Sequence, residues 1–300
     1  MKVVVTGGSG FLGSHIADAL SAAGHETVIF DVAPSPWLQP NQTMVVGSVL
    51  DSDKVTSALR GTEAIYHLAA MADIADTLDR PREAVEINVM GTVNMLEAAR
   101  AIGVRRFVFA SSIYVYSNHG SFYRTTKQAC ENLIHDYHER FGLEFTVLRF
   151  GSLYGPRADD SNGVHQLLSQ ALAERRIDHY GTGDEVREYI HVFDAAAMSV
   201  DILAPEFANQ YVHLTGRERM TTREMLHMIR EIMGGDVELN FRGTGFEGHY
   251  VQTPYNYTPK LGRRLIKNTY IDLGLGLLDC LQNIDRDDEG EQFVIPGNAS

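Results

Sequence analysis

The chain has 300 residues, 39 of them Asp or Glu and 26 Lys or Arg, for a formal net charge of −13. That balance argues against a phosphate-backbone binder, which carries a basic face, and the clusters Arg105-Arg106 and Arg263-Arg264 are too short to supply one, so no nucleic-acid partner is expected. Cys130 and Cys280 lie far apart without metal-type spacing, no apolar run approaches the ~18 to 20 residues that cross a membrane, and the first element begins at Lys2, so a soluble, reduced, cytoplasmic chain without a bound metal is expected.

Lys2 to Thr6 is a short β-branched run suited to a buried parallel strand, and it runs straight into Gly7-Gly8-Ser9-Gly10-Phe11-Leu12-Gly13, after which a helical pattern continues to Gly24. The glycines fit two fingerprints at once, Gly8-x-Gly10-x-x-Gly13 and Gly7-x-x-Gly10-x-x-Gly13. Between a strand and a helix they let backbone approach a ligand closely while free amides at the helix start attract a pyrophosphate. Thr27 to Asp31 is a second strand ending in an acid 18 residues beyond Gly13, where a carboxylate accepts ribose hydroxyls and repels a 2′-phosphate. With no arginine following Asp31, NAD is expected over NADP.

Pro34, Pro36 and Pro40 mark an irregular loop around Trp37, Met44 to Val46 form a third strand, and Asp51 opens a helix. Ile65 to Ala70 reads as a fourth strand, leaving on small residues that let backbone pass close to a cofactor; His67 within it reads as a packed strand-end histidine rather than a catalyst. A loop from Met71 to Arg80 precedes a long helix from Pro81 to about Ala101. Arg106 to Ala110 is the fifth strand and delivers Ser111 and Ser112 at the edge where open parallel sheets bind ligands. A helix carrying Tyr123 and Lys127 follows to Phe141, and Phe145 to Arg149 is the sixth strand. This alternation demands a doubly wound parallel α/β sheet with right-handed crossovers.

After Arg149 the rhythm changes to a glycine-rich loop from Gly151 to Gly163, a helix from about Val164, and a capping box at Thr221-Thr222-Arg223-Glu224. The expected division is a dinucleotide domain over 1–160 that carries the catalytic residues, a smaller α/β substrate lobe over 161–284 with the chain crossing back near 187–203, and a loose tail over 285–300. Tyr123 and Lys127, four residues apart, share a helix face, so the ammonium favours the phenolate and brings a group that normally titrates near pH ~10 into working range as a base. The pair is a weak motif alone and gains meaning from the glycine turn and Asp31.

In order along residues 1 to 200, Thr6-Gly7-Gly8-Ser9-Gly10-Phe11-Leu12-Gly13, His67-Leu68-Ala69-Ala70, Asn88-Val89-Met90-Gly91-Thr92, Ser111-Ser112-Ile113-Tyr114-Val115-Tyr116, Tyr123 with Lys127, Tyr154-Gly155-Pro156-Arg157 and Arg187-Glu188-Tyr189-Ile190-His191-Val192 resemble the extended short-chain dehydrogenase/reductase family, in particular its nucleotide-sugar epimerase and dehydratase branch. The resemblance implies a Rossmann fold, Tyr123 as acid/base, Lys127 lowering its pKa and holding the nicotinamide ribose, and Ser112 bonding the reacting oxygen. It implies that NAD lies against Gly7, Gly10, Phe11, Leu12, Gly13 and Asp31, with Ser48 and Val49 near the adenine. Leu68, Ala69, Ala70, Tyr123, Lys127 and Phe150 line the rest. On the substrate side it points to Ser112, Tyr123 and Ser152, with Arg187 on a diphosphate and Arg157 as a weaker candidate, and it pairs the two long helices with their copies in a homodimer.

The chain departs from the family pattern at four places. Ser48 replaces an aspartate near the adenine, and Ser152 replaces an asparagine that touches substrate. Only ten residues separate Ser112 from Tyr123, so that side of the pocket is expected to be open. Thr253 to Pro259 does not match the sugar-nucleotide ending. The expected activity is an NAD-dependent nucleotide-sugar 4-epimerase working through a transient 4-keto sugar. A sugar or sugar-acid dehydrogenase with the same trio stays open as an alternative. A 4,6-dehydratase lacks its acid pair, since Ser112 is followed by Ile113 and Tyr114, and a non-catalytic dinucleotide sensor would have lost the tyrosine.

Overall fold

The computed structural model describes residues 1–217, 219–243, 262–265 and 270–289. Buried β-branched and aromatic runs form the strands β1 (Lys2–Thr6), β2 (Glu26–Asp31) and β3 (Gln42–Val46), with α1 (Phe11–Ala22) after the glycine turn and α2 (Ser52–Ala58) capped by the Asp51 carboxylate. β4 (Ala64–His67) stops three residues before the expected Ala70: the Leu68 amide makes the last ladder bond, to the Thr6 carbonyl at 3.1 Å, and shares it with the Thr6 hydroxyl at 3.2 Å, while the Ala69 amide turns to that hydroxyl at 3.2 Å. The expected loop after it contains α3 (Ile74–Asp79), started by the Asp73 side chain bonding the Asp76 amide.

The long helix predicted from Pro81 is present as α4 (Pro81–Val85), a π-helical turn Glu86–Met90, and α5 (Gly91–Ile102), with Pro81 in the first turn, where its missing N–H costs nothing. β5 (Arg106–Ser112) runs two residues further than expected and hands over to a 3-10 turn, Ile113–Tyr116. Next come α6 (Ser121–Phe141), starting two residues ahead of Tyr123, and β6 (Phe145–Phe150).

The second half comprises β7 (Ser152–Tyr154) inside the expected loop, α7 (Gly163–Glu174), β8 (Arg176–His179), β9 (Val186–His191), α8 (Val192–Asp201), a 3-10 turn Pro205–Phe207 and β10 (Gln210–Leu214). It continues through β11 (Arg219–Thr221), α9 (Thr222–Ile232), β12 (Glu238–Phe241), β13 (Arg263–Arg264) and α10 (Leu273–Glu289). The capping box forms: Thr221 accepts from the Glu224 amide and Glu224 from the Thr221 amide. α10 extends past Asp285, where a tail was expected; residues 290–300 and the motif Thr253 to Pro259 lie outside the described residues.

Eight strands make one sheet in the order β13-β10-β6-β5-β4-β1-β2-β3, and every neighbouring pair is parallel. Alternation along β1 sends Val4 into one apolar layer and Val3 and Val5 into the other. The first layer packs α2, α5 and α6 on the sheet through Val55, Leu96, Cys130 and Ile134; the second packs α1 and α8 through Ile16, Leu20, Ala195 and Met198. Chain order moves outward from β1 to β3, then returns to β4 and runs the other way. The crevice at the carboxyl ends of β1 and β4 is therefore the topological switch point, where open α/β sheets take ligands. A third cluster, including Leu168, Ile177, Met225, Ile229 and Leu277, joins α7, β8, α9 and α10. Small sheets β11-β9-β7 and β12-β8 lie in the same half.

Candidate active site

The glycine turn stands at that switch point. Gly7 has φ of 71°, and a Cβ there would lie 2.7 Å from the Ala69 amide nitrogen, so only glycine lets the turn and the segment after β4 touch. A Cβ on Gly13 would stand 2.1 Å from the Gly7 carbonyl oxygen, which fuses the helix start to the turn. Gly10 differs: its Cβ would reach only the Gly7 oxygen at 3.5 Å and would project into the space in front of α1. Gly10 is also the N-cap of α1 and offers no side chain to its first amides. The amides of Phe11, Leu12 and Gly13 have no acceptor within the helix, and with the dipole they form a site for a pyrophosphate.

Asp31 ends β2 beside this turn, its carboxylate accepting from the Ser9 amide at 3.0 Å and from the Ala33 amide at 3.3 Å. Ser48 and Val49 follow β3 on the same edge, Gly47 donating to the Asp31 carbonyl at 2.8 Å. The Ser48 hydroxyl closes its own turn by accepting from the Leu50 amide, and the Val49 side chain is buried against Gly91. Phe150 is buried at the end of β6, in register with Ser112. Leu68, Ala69 and Ala70 border the crevice from β4, half-buried.

A buried polar relay fixes that border. The Thr92 hydroxyl donates to the Asn88 carbonyl at 2.6 Å, so it accepts from His67 Nε2 at 3.0 Å. His67 Nδ1 then accepts from the Thr6 hydroxyl at 2.7 Å, leaving the Thr6 oxygen to receive the Leu68 and Ala69 amides. Burial holds His67 down to about 3, with the Lys127 charge adding to it, so the ring is neutral and structural. Asn88, projecting from the π turn, adds a clamp: it accepts from the Met71 amide at 2.7 Å and donates to the Met71 carbonyl and the Thr126 hydroxyl, both at 3.0 Å.

Ser112, Tyr123 and Lys127 converge at the carboxyl end of β5. Ser112 donates a hydrogen bond to the Tyr123 phenol while accepting from the Tyr114 amide at 3.3 Å. Lys127 is almost wholly buried and donates from Nζ to the Ala110 carbonyl at 2.7 Å, with Nζ 4.8 Å from the Phe109 ring centre and 5.7 Å from that of Tyr123. Burial pushes the Tyr123 phenol up to about 12, partly opposed by the Ser112 hydrogen bond, and brings Lys127 down to about 8 against the pull of Cys130 and Glu131. The expectation that Lys127 lowers the phenol therefore fails for the protein alone. The ammonium sits under the ring rather than at the oxygen, and desolvation of the phenolate outweighs the Ser112 hydrogen bond.

Behind this site, Glu131, one turn beyond Lys127, accepts from the Ser111 hydroxyl at 2.6 Å and from Arg149 Nε and NH2 at 3.0 and 2.6 Å. Arg149 is fully buried and also donates to the Tyr116 hydroxyl at 2.6 Å. This pair binds α6 to β5 and β6, and so sets Tyr123 against Ser112.

Residues 3–212 match the model of the NAD dependent epimerase/dehydratase family. The chain belongs to that family. The UDP-glucose 4-epimerase of Mycolicibacterium smegmatis is 31% identical over 80% of this chain and 85% of its own length. UDP-glucuronic acid decarboxylase 1 of Arabidopsis thaliana is 26% identical over 88% of this chain and 67% of its own. The Thermus thermophilus UDP-glucose 4-epimerase, crystallised in complex with NAD, superposes with a TM-score of 0.79 at 27% identity, covering 95% of this chain and 99% of that one.

In this member of the epimerase/dehydratase family the glycine cradle, Asp31 and the β4 border fit a dinucleotide. Substrate-side residues divide. Ser152 opens β7 and pairs with Tyr189 of β9, which also carries the half-buried Arg187; NH1 of that arginine donates to the Val186 carbonyl at 3.2 Å. Arg157, with φ of 64°, turns its guanidinium onto Asp18 of α1 at 2.8 Å and lies 4.8 Å from the Trp37 ring centre, which ties it to the β2–β3 loop, while its NH1 is buried without a hydrogen-bond partner among the described residues. About 550 Å³ of open space lies between β9, the end of β10 and residues 270–273, lined in part by Tyr189, Asp194, Thr215 and Arg217 and by none of the catalytic trio.

The sequence reading missed Asn88, Thr6, Glu131 and Tyr114. Asn88, Thr6 and Tyr114 stand inside motifs quoted above, but the roles of the first two depend on partners 17 and 61 residues away.

Proposed function

We propose that the protein is an NAD-dependent nucleotide-sugar 4-epimerase. The observation that carries this is the convergence of Ser112, Tyr123 and Lys127 beside a dinucleotide cradle, with Ile113 and Tyr114 in place of the Asp-Glu pair that water elimination uses. The named activity of the 31% identical relative supports it. NAD held by the glycine turn and Asp31 would supply the hydride acceptor.

Ser112 holds the sugar oxygen at the end of β5, and Tyr123 takes the hydroxyl proton as the carbon is oxidised, returning it when the ketone is reduced from its other face. In the free protein the raised pKa keeps Tyr123 protonated, so the phenol must release its own proton to solvent before it can take the substrate's, and the base form belongs to the occupied site. Lys127, near its own titration, supplies the positive charge behind the ring. Arg187 is suited to the substrate diphosphate, because a guanidinium takes phosphate through two parallel hydrogen bonds.

Incubation with UDP-glucose and UDP-galactose, followed by NMR, tests the reading. Interconversion without net NADH is expected, and Tyr123→Phe should lower kcat by at least about a hundredfold. Stoichiometric NADH accumulation would instead make the enzyme a dehydrogenase.

Three further features belong to this reading. The exposed Val85, Met90, Phe122 and Phe141 along α4 to α6 suit pairing with a second copy, which light scattering would detect as twice the chain mass. The separate apolar cluster of the second half suits a substrate lobe within 161–284, from which α8, β10 and β13 cross back to the sheet of a cofactor domain over 1–160. Buried free thiols at Cys130 and Cys280 suit a cytoplasmic location. Among the described residues no helix is long and apolar enough to cross a membrane, and no group of three or more His, Cys, Asp or Glu could hold a metal ion.

A further inference from the structure

The short connection between Ser112 and Tyr123 does not leave that side of the catalytic phenol open. Tyr114 fills it. Its ring meets the Tyr123 ring edge-on, centres 6.2 Å apart and planes at 79°, and its amide is the donor to Ser112 Oγ. The rest of the connection holds it there. Gly120 has φ of 91°, and a Cβ at that position would lie 2.6 Å from Tyr114 Cδ1, so the loop passes against the ring only because residue 120 is glycine. Arg124 NH1 donates to the Ser117 carbonyl at 3.1 Å, Gln128 to the Val115 carbonyl at 2.8 Å, and the Ser117 hydroxyl accepts from the His119 amide at 2.8 Å. Tyr114 is half-buried, Ile113 and Val115 are buried, and Arg124 is the single Lys or Arg between Ile113 and Arg124.

Resting on the epimerase reading, we propose that Tyr114 is a specificity-determining residue: its ring is the wall against the substituent on the carbon next to the one oxidised, and it selects an uncharged exocyclic hydroxymethyl group over a carboxylate. A substrate whose oxygen lies between Ser112 and Tyr123 must place a neighbouring ring carbon within one ring's width of Tyr114. An aromatic face is electronegative and suits C–H groups. A carboxylate set against that face and Ile113 loses hydration, and NH1 of Arg124, the one Lys or Arg of the segment, is held by the Ser117 carbonyl. The substrate class is therefore a neutral hexose nucleotide rather than a uronic acid nucleotide.

Calorimetric titration of the NAD-saturated Tyr123→Phe protein with UDP-glucose and UDP-glucuronic acid tests the wall without turnover. UDP-glucose should bind at least about tenfold tighter. Added Tyr114→Phe, which keeps the ring, should preserve that ratio, and added Tyr114→Ser should bring it to about threefold or less, with thermal melting confirming that each variant is folded. Equal or reversed preference with Tyr114 in place, or an unchanged ratio in the serine variant, overturns the proposal. The wild-type NMR assay separates the two readings: the expected ratio without epimerisation sinks the epimerase and leaves the wall, whereas epimerisation with a flat ratio does the reverse. Binding of neither nucleotide sinks both.

Discussion

Replacing Glu131 with Ala removes the acceptor of three hydrogen bonds, from Ser111 Oγ, Arg149 Nε and Arg149 NH2, between residues that are 6%, 3% and 0% exposed for Glu131, Ser111 and Arg149. The guanidinium keeps its bond to Tyr116 but loses its counter-charge in a place water does not reach. Breaking a buried pair from one side costs about 3 to 5 kcal/mol, because the remaining ion is stranded. For a chain of this size that lowers the thermal midpoint by on the order of 10 °C. Urea unfolding followed by circular dichroism measures the loss. The decisive comparison is Glu131→Leu with Arg149→Leu. The double variant should be more stable than either single one, since removing both ions leaves no stranded charge, and the cycle should show a coupling of about 2 kcal/mol or more. A loss below about 1 kcal/mol for Glu131→Ala, or additive single effects, would refute the claim that this pair holds α6 to the sheet.

The glycine turn yields a paired prediction: Gly13→Ala should cost both stability and NAD affinity, because its Cβ meets backbone at 2.1 Å, whereas Gly10→Ala should melt like the parent while losing at least about tenfold in NAD affinity by fluorescence titration. Lys127 gives a pH dependence. Its folded pKa, brought down to about 8, lies below the unfolded value, so the folded protein releases the proton first as pH rises from about 8 to 10.5. The unfolded state then binds more protons and stability climbs, by at most about 3 kcal/mol from this group, while below pH 8 the full cost of burying the ammonium remains. Lys127→Met should lack that rise when its unfolding is compared with the parent across the window.

What was legible in the sequence is what local geometry dictates. Gly7, Gly10 and Gly13 announce a turn because only glycine fits their contacts, and Ser112 with Tyr123 and Lys127 follow from a strand end and a four-residue helical spacing. The rest shares a cause. Arg157 belongs to a motif near substrate in sequence, and a left-handed backbone ties its side chain to Asp18, a partner 139 residues away. Spacing placed Lys127 beside Tyr123 without revealing that Lys127 is buried and Tyr123 half-buried, and in the free protein desolvation raises the phenol and lowers the ammonium. The open wall expected from a short connection is closed by Tyr114, because a count of residues carries no information about which side chain fills the gap.

The π-helical turn Glu86–Met90 takes up one residue more than an α-helical turn, so everything before it is rotated by about 100° relative to an uninterrupted helix. That extra residue sets the angular phase of Asn88, which at once touches the segment after β4 and the helix bearing Tyr123. The spacing between the segment after β4 and the helix bearing the phenol is thus braced by an amide acting as a strut, whose aim depends on an irregularity in a third element. Shortening that helix by one residue would leave every catalytic side chain in the sequence and unfix the distance between them.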